Sequence, residues 1–595
     1  MKEQTKNLIF LSAVLVCLIT FFLAVYNNTV SSIPVEADFG LLSVVSPFWF
    51  IALGIAIGIT LFTILKSEKN YQFILALLLL IFVIYALPIF VEVNPRSADT
   101  FWHTNSVFEI IHGGTLDFDF LESGDPLLDT VYNSRIYYLI YNPGAFVAYA
   151  LLFLPLFFAG IEPIIVMKFF SLISILLMTL LAYFLFDKLI PKRKLAQLVT
   201  FFFFLGNVYI QNHVSPQTLG LIFMLVILIC FVSLKENIKW IGLLLALMLI
   251  TIHLPSALFI FLLIAFNLLY CYLFSKDNKF VGFEHLLLLF LFYALYSLLF
   301  TPDLVLTLLD IGLTWFFPII GVVLCLVALI WYIKSQKINL ANQTLLNIFL
   351  GFLMLGVLVL IFLGSFEEMN LARGLRFFVL IGLSSFALFL TYLLMKEKKV
   401  STVLILAISF LTTAFLFFIF QFFLTSAFGL EDRAFLVFYF GIVLLLGIAM
   451  KDLKISLNRF IFFITILLVL NASTFYYHEN HFLIPENNFE GWHHVYGMTN
   501  TNSTIFGNID SYSMYYIDSF NSLSEIRKVD KYNHYAGENK ELIYDVYIVN
   551  NFNAFAHYLE GNLEDYYDLE PALEQEYNLV FNSDNTFLVY TSQDF

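Results

Sequence analysis

YQFILALLLLIFVIYALPIFV, residues 71–91, contains no charged side chain. At 1.5 Å per residue, about 20 apolar residues cross the ~30 Å hydrocarbon core of a bilayer. The stretch therefore reads as a transmembrane helix. Glu92 follows directly, and then Ser97-Ala98-Asp99-Thr100-Phe101-Trp102-His103. The next long apolar segment opens only near Gly144. Residues 92–143 thus form a large loop that carries Asp99, Glu109, Asp117, Asp119, Glu122, Asp125 and Asp129. On a chain so poor in charge, such a loop is the place to look for chemistry.

Similar windows recur near 7–25, 45–65, 163–186, 195–211, 216–234, 240–253, 255–274, 280–300, 314–333, 345–363, 374–395, 401–422, 434–450 and 460–475. The total is about fifteen spans. The 595 residues are 61% hydrophobic and 12% charged, more apolar surface than a soluble domain can bury. The first window, Leu8–Tyr26, is followed by Asn27-Asn28 rather than a small-residue cleavage site, so it reads as a retained span. All four cysteines, Cys17, Cys230, Cys271 and Cys325, fall inside apolar runs and read as small core residues. The expected fold is an all-α polytopic membrane domain over residues 1–475, followed by a polar segment, 476–595.

Basic residues set the expected sidedness. Lys2, Lys6, Lys66, Lys69, the Lys188–Lys194 cluster and the later lysine-rich loops place twenty Lys/Arg on one side. The opposite loops hold five: Arg96, Arg135, Arg373, Arg376 and Arg433. The positive-inside rule then puts the N-terminus in the cytoplasm and both the 92–143 loop and the tail outside. The apolar segment 144–160 conflicts with this map if it crosses, because every later loop would flip. It is expected to lie at the outer interface or to dip in and return.

Residues 100–112, closed by Gly113-Gly114, read as a short helix with Ser97 or Asp99 as its N-cap. Phe101, Phe108 and Ile111 form one stripe, which suits a helix lying on the membrane. Asp99 and His103 are four apart and share a face. A helix cap and a functional carboxylate are both compatible with Asp99 at this position. Further polar groups fall at the same level: His213 before Pro216, His253 before Pro255, Lys168 within its span, and Glu367, Glu368, Arg373 and Arg376 in one short loop. Ionisable groups at or inside the membrane are costly and generally face a cavity or a partner.

From Tyr476 onward nineteen Asp/Glu stand against four Lys/Arg, about the whole net charge of −14. So acidic a tail argues against nucleic acid as a partner and against docking on anionic lipid. Ser503–Ile509, Leu542–Val549, Tyr577–Val580 and Thr586–Tyr590 read as strands, the last two joined as a hairpin by Asn582-Ser583-Asp584-Asn585. Tyr512–Phe520 and Asn553–Glu560 read as helices. The expectation is a small C-terminal extracytoplasmic α/β domain. No Walker loop, dinucleotide glycine fingerprint or His/Cys zinc spacing occurs in the chain.

Asp99-x-x-x-His103, the Gly113-Gly114 stop and Tyr141-Asn142-Pro143 ahead of an apolar interfacial segment together resemble the first outer loop of GT-C membrane glycosyltransferases. This superfamily includes protein mannosyltransferases and aminoarabinose transferases. The basic 188–194 loop, His213-Val-Ser-Pro-Gln and the Arg373/Arg376 pair add to the resemblance. The chain departs from it in lacking an Asp-Glu pair (Thr100 follows Asp99) and a Trp-Trp-Asp tail signature. The resemblance implies an inverting transferase at the cell membrane that uses a polyprenyl-phosphate-linked sugar. Asp99 would be the general base, with His103 beside it. Arg376, Arg373 and Lys168 would hold the lipid phosphate. His213, His253, Glu367 and Glu368 would line the site or meet the acceptor, which is a glycan, a lipid or a protein. It implies no obligatory cofactor and leaves room for a divalent metal without fixing any metal ligand. Two other classes fit the composition: a transporter or flippase of a polyprenyl-linked glycan, and a non-catalytic scaffold of the same fold.

Overall fold

The computed structural model describes residues 3–27, 40–43, 45–67, 69–92, 142–206, 213–233, 235–274, 280–300, 400–424 and 430–452 almost continuously. It also describes five strands between 504 and 591 and single positions elsewhere. The described helices are α1 (Glu3–Tyr26), α2 (Pro47–Lys66), α3 (Asn70–Val91), α4 (Pro143–Phe158), α5 (Pro163–Leu189), α6 (Arg193–Gly206), α7 (Pro216–Phe231), α8 (Glu236–Ile252), α9 (Leu254–Leu273), α10 (Phe283–Phe300), α11 (Thr402–Leu424) and α12 (Leu430–Asp452). Among the described residues, five helices are long and apolar enough to cross a membrane: α1, α2, α3, α5 and α9. The windows expected near 314–333 and 345–363 lie outside the described residues. Those near 374–395 and 460–475 are described only at single positions.

Proline starts many of these helices. Pro47, Pro143, Pro163, Pro216 and Pro255 each stand in a first turn, where the missing N–H costs nothing and the fixed φ suits the helix. Pro88, inside α3, does remove a ladder donor. Close to that break, the Trp49 indole of α2 donates to the Val83 carbonyl at 2.8 Å.

Among the five candidate spans α3 is the most enclosed: 67% of its apolar window is buried, against 22% for α1. Lipid tails are as apolar as leucine, so close packing holds such helices together. The rings of Phe186, Phe203, Phe410 and Phe440 join α5, α6, α11 and α12 at centroid distances of 4.6–5.8 Å. Gly206 lets α6 approach Tyr439 of α12; a β-carbon there would lie 2.7 Å from the ring.

The bundle has two chemically different ends. At one, Lys6 Nζ donates to the Lys66 carbonyl at 3.2 Å and Lys194 Nζ to the Leu65 carbonyl at 3.3 Å. There Asn70 Oδ1 accepts from Tyr183 (2.6 Å) and Gln197 (3.0 Å), tying α3, α5 and α6 together. The other end gathers Glu92, Lys168, Ser215 and His253.

α4 meets α5, the turn before α7 and the end of α8 toward that second end. A β-carbon on Gly144 would lie 2.5 Å from Thr251 Oγ1, near the end of α8. Tyr149 reaches Ser215, and Phe153 packs on Phe170, with ring centroids 5.9 Å apart. A short turn through Gly160 (φ 76°) then leads into α5. With 16 residues, α4 is roughly 24 Å long, short of a full crossing.

In the tail, β1 (Thr504–Phe506), β2 (Lys528–Asp530), β3 (Val546–Asn550), β4 (Asn578–Ser583) and β5 (Phe587–Thr591) pair in the order β2-β1-β3-β5-β4. β1 is parallel to β2 and β3, whereas β5 runs antiparallel to β3 and β4. β4 and β5 are the expected hairpin. β2 was not expected: three residues with a charge at either end carry no strand periodicity, and pairing with β1 makes it a strand. The helices expected at 512–520 and 553–560 lie outside the described residues.

Candidate functional site

The loop after α3 is rooted on a lysine. α3 ends at Val91 with Glu92 as its C-cap. Lys168, in the second turn of α5, donates from Nζ to the Glu92 backbone carbonyl at 2.6 Å. A helix C-terminus exposes unpaired carbonyls and the negative end of the macrodipole, so an ammonium there is doubly favourable. Expected as a phosphate ligand, Lys168 thus has a structural partner at the base of the loop.

Farther along, Thr100, His103, Thr104, Val107, Ile110 and Ile111 have helical backbone. Thr100, His103, Thr104 and Val107 are buried, a stripe at i, i+3, i+4 and i+7. This stripe faces the protein and is partly polar; Phe101 and Phe108 of the expected membrane-facing stripe lie outside the described residues. The His103 ring meets Phe146 of α4 at 5.7 Å and stacks on His213, with centroids 6.3 Å apart and planes 15° from parallel.

His213 sits in a turn held from two sides. Ser215 caps α7, its Oγ accepting from the Thr218 N–H at 3.3 Å. Thr218 Oγ1 in turn donates to the His213 carbonyl at 2.7 Å. From α4, the buried Tyr149 hydroxyl donates to the Ser215 carbonyl at 2.7 Å and accepts from the Ser215 N–H at 3.2 Å. Burial holds both imidazoles in the neutral form. It lowers His213 to about 4, and it lowers His103 well below the usual histidine range, helped by the neighbouring His213.

His253 joins α8 to α9 and is buried, with Nδ1 2.6 Å from Ser256 Oγ. Its Cβ lies against Gly220 of α7, where an added β-carbon would be 2.7 Å away. The structure thus stacks His103 on His213 and places His253 against Gly220, about a turn and a half past the Ser215 cap of α7. Asp99, Glu367, Glu368, Arg373 and Arg376 lie outside the described residues. Among the described residues, no group of three His, Cys, Asp or Glu is placed to hold a metal ion.

Sequence reasoning did not single out Tyr149. A usable signal existed: it is the only polar side chain of α4, and a tyrosine buried in an apolar helix needs a partner for its hydroxyl. Neither a family model nor a curated protein matches the chain.

Proposed function

We propose that the protein is an integral-membrane glycosyltransferase that moves a sugar from a polyprenyl-phosphate donor to an acceptor on the outer face. The observation that carries this reading is the seating of the acidic loop. Thr100, His103, Thr104 and Val107 are buried, and His103 rests on His213 at the end of the bundle away from Lys66 and Lys194. A loop seated in this way, with Asp99 immediately before the stripe in the sequence, is suited to present a base. The basic residues at the opposite end support an N-terminus in the cytoplasm, and α4, 16 residues long with Tyr149 bound to the Ser215 turn, fits that map. The sheet of the tail supports a folded extracytoplasmic domain.

The chemistry follows from charge. Asp99 takes the proton from the acceptor hydroxyl as the hydroxyl oxygen attacks the anomeric carbon. The bond from that carbon to the phosphate oxygen breaks, and the polyprenyl phosphate leaves with its negative charge. Attack opposite the leaving group inverts the anomeric centre. Arg376 and Arg373 supply the forked donors a phosphate prefers. His103 and His213, being neutral, bring no positive charge to the buried stripe that follows Asp99 in the sequence.

The test is Asp99→Asn, which keeps size and most capping ability but removes the base. Transfer from a polyprenyl-phosphate sugar should fall by about 10²-fold or more, with the fold intact. His103→Ala should cost less. Normal turnover in Asp99→Asn would reduce Asp99 to a helix cap and remove the basis of this reading.

A further inference from the structure

α4 is apolar apart from one hydroxyl, and that hydroxyl is spent on another element's backbone. Tyr149 is fully buried, its ring 5.4 Å from both Phe153 and Phe170. Through its hydrogen bonds to Ser215 it occupies both backbone groups of the residue that caps α7. The same turn carries His213, whose carbonyl is held by Thr218 and whose ring carries His103. Three separate segments therefore meet in one chain of contacts: α4, the turn before α7, and the helical stretch after Asp99. If Tyr149 served packing alone, a phenylalanine would do equally well, and the turn would not depend on it.

We propose that Tyr149 is a positioning residue: by fixing the Ser215 backbone it sets the His213 ring, and through the His103–His213 stack it sets where the buried stripe of Thr100, His103, Thr104 and Val107 sits. Its consequence for turnover rests on the glycosyl-transfer reading; the positioning itself does not.

The experiment uses the full chain in lipid nanodiscs and the variant Tyr149→Phe, which keeps the ring and its aromatic contacts. Diethyl pyrocarbonate, read by peptide mass spectrometry, reports histidine accessibility. His285, buried at the start of α10 and 4.6 Å from the Trp240 ring, is the control. Losing the partner of a buried backbone group shifts local opening on the order of tenfold. Carbethoxylation of His103 and His213 should therefore rise by about that factor in Tyr149→Phe, with His285 still protected. Phe153→Leu, which disturbs the same packing without touching the turn, should leave both histidines protected. The proposal is overturned if His103 and His213 stay protected in Tyr149→Phe, if all three histidines open together, or if Phe153→Leu exposes them equally. Release of undecaprenyl phosphate from its mannosyl ester, assayed in membranes, supplies the second readout. A positioning role lowers kcat on the order of 10–100-fold and leaves KM for the lipid unchanged. A change confined to KM would overturn the role in turnover. If the unmodified protein releases no lipid phosphate, the glycosyl-transfer reading fails, while the footprint still decides the role of Tyr149 in the fold.

Discussion

Acid should loosen the end of the bundle that holds the histidines, and the size of the effect can be worked out at His213. The side chain is 6% exposed, and burial lowers its pKa to about 4. In the unfolded chain a histidine titrates near 6.5, so as pH falls the unfolded state takes up the proton first. The stabilising contribution is complete above about 6.5 and is lost progressively as pH falls to about 4. A gap of about 2.5 pH units, at ~1.4 kcal/mol each, amounts to roughly 3 kcal/mol. His103 is shifted in the same direction and steepens the loss. The assay is denaturant unfolding in nanodiscs between pH 7 and pH 4, comparing the native protein with His213→Gln, which fills similar space and cannot be protonated. The native protein should lose stability steeply, and the variant should lose roughly 3 kcal/mol less over the same interval. Parallel curves would show that His213 is not held neutral by burial, and the argument for a neutral imidazole pair beside the loop would go with it.

Other outcomes are expected from particular contacts. Cysteines placed at Lys192 and at Asn553 should differ in labelling by an impermeant reagent in intact cells; equal labelling would overturn the sidedness drawn from the basic residues. Lys168→Met should lower stability by about 1–3 kcal/mol, because the Glu92 carbonyl loses a charged donor. A Lys168→Met variant of unchanged stability that binds polyprenyl phosphate more weakly would instead return Lys168 to the phosphate. Arg376→Lys should weaken polyprenyl phosphate binding more than it weakens folding, since charge is kept and the fork is lost; Arg373→Lys should do the same to a smaller extent.

Local sequence was enough to read a membrane protein and to locate the helices that are both long and apolar enough to cross. Lipid imposes a simple demand, about twenty apolar residues per crossing, and the windows at 7–25, 45–65, 71–91, 163–186 and 255–274 meet it with helices α1, α2, α3, α5 and α9. The β4–β5 hairpin was legible for the same reason: its alternation and turn residues are local signals. The polar outer residues could be named one by one, but their partners could not. Lys168 finds Glu92 across 76 residues, and Tyr149 finds Ser215 across 66. No periodicity records such pairs, because a hydrogen bond to another helix's backbone leaves no mark on that helix's side chains. What joins Tyr149 of α4 to the Ser215 turn, buries a Thr/His stripe in the loop after α3 and lays His103 on His213 is tertiary structure alone. Each of these depends on packing between segments far apart in the chain, where small residues such as Gly144 and Gly220 allow the approach and burial sets the protonation of what is brought together.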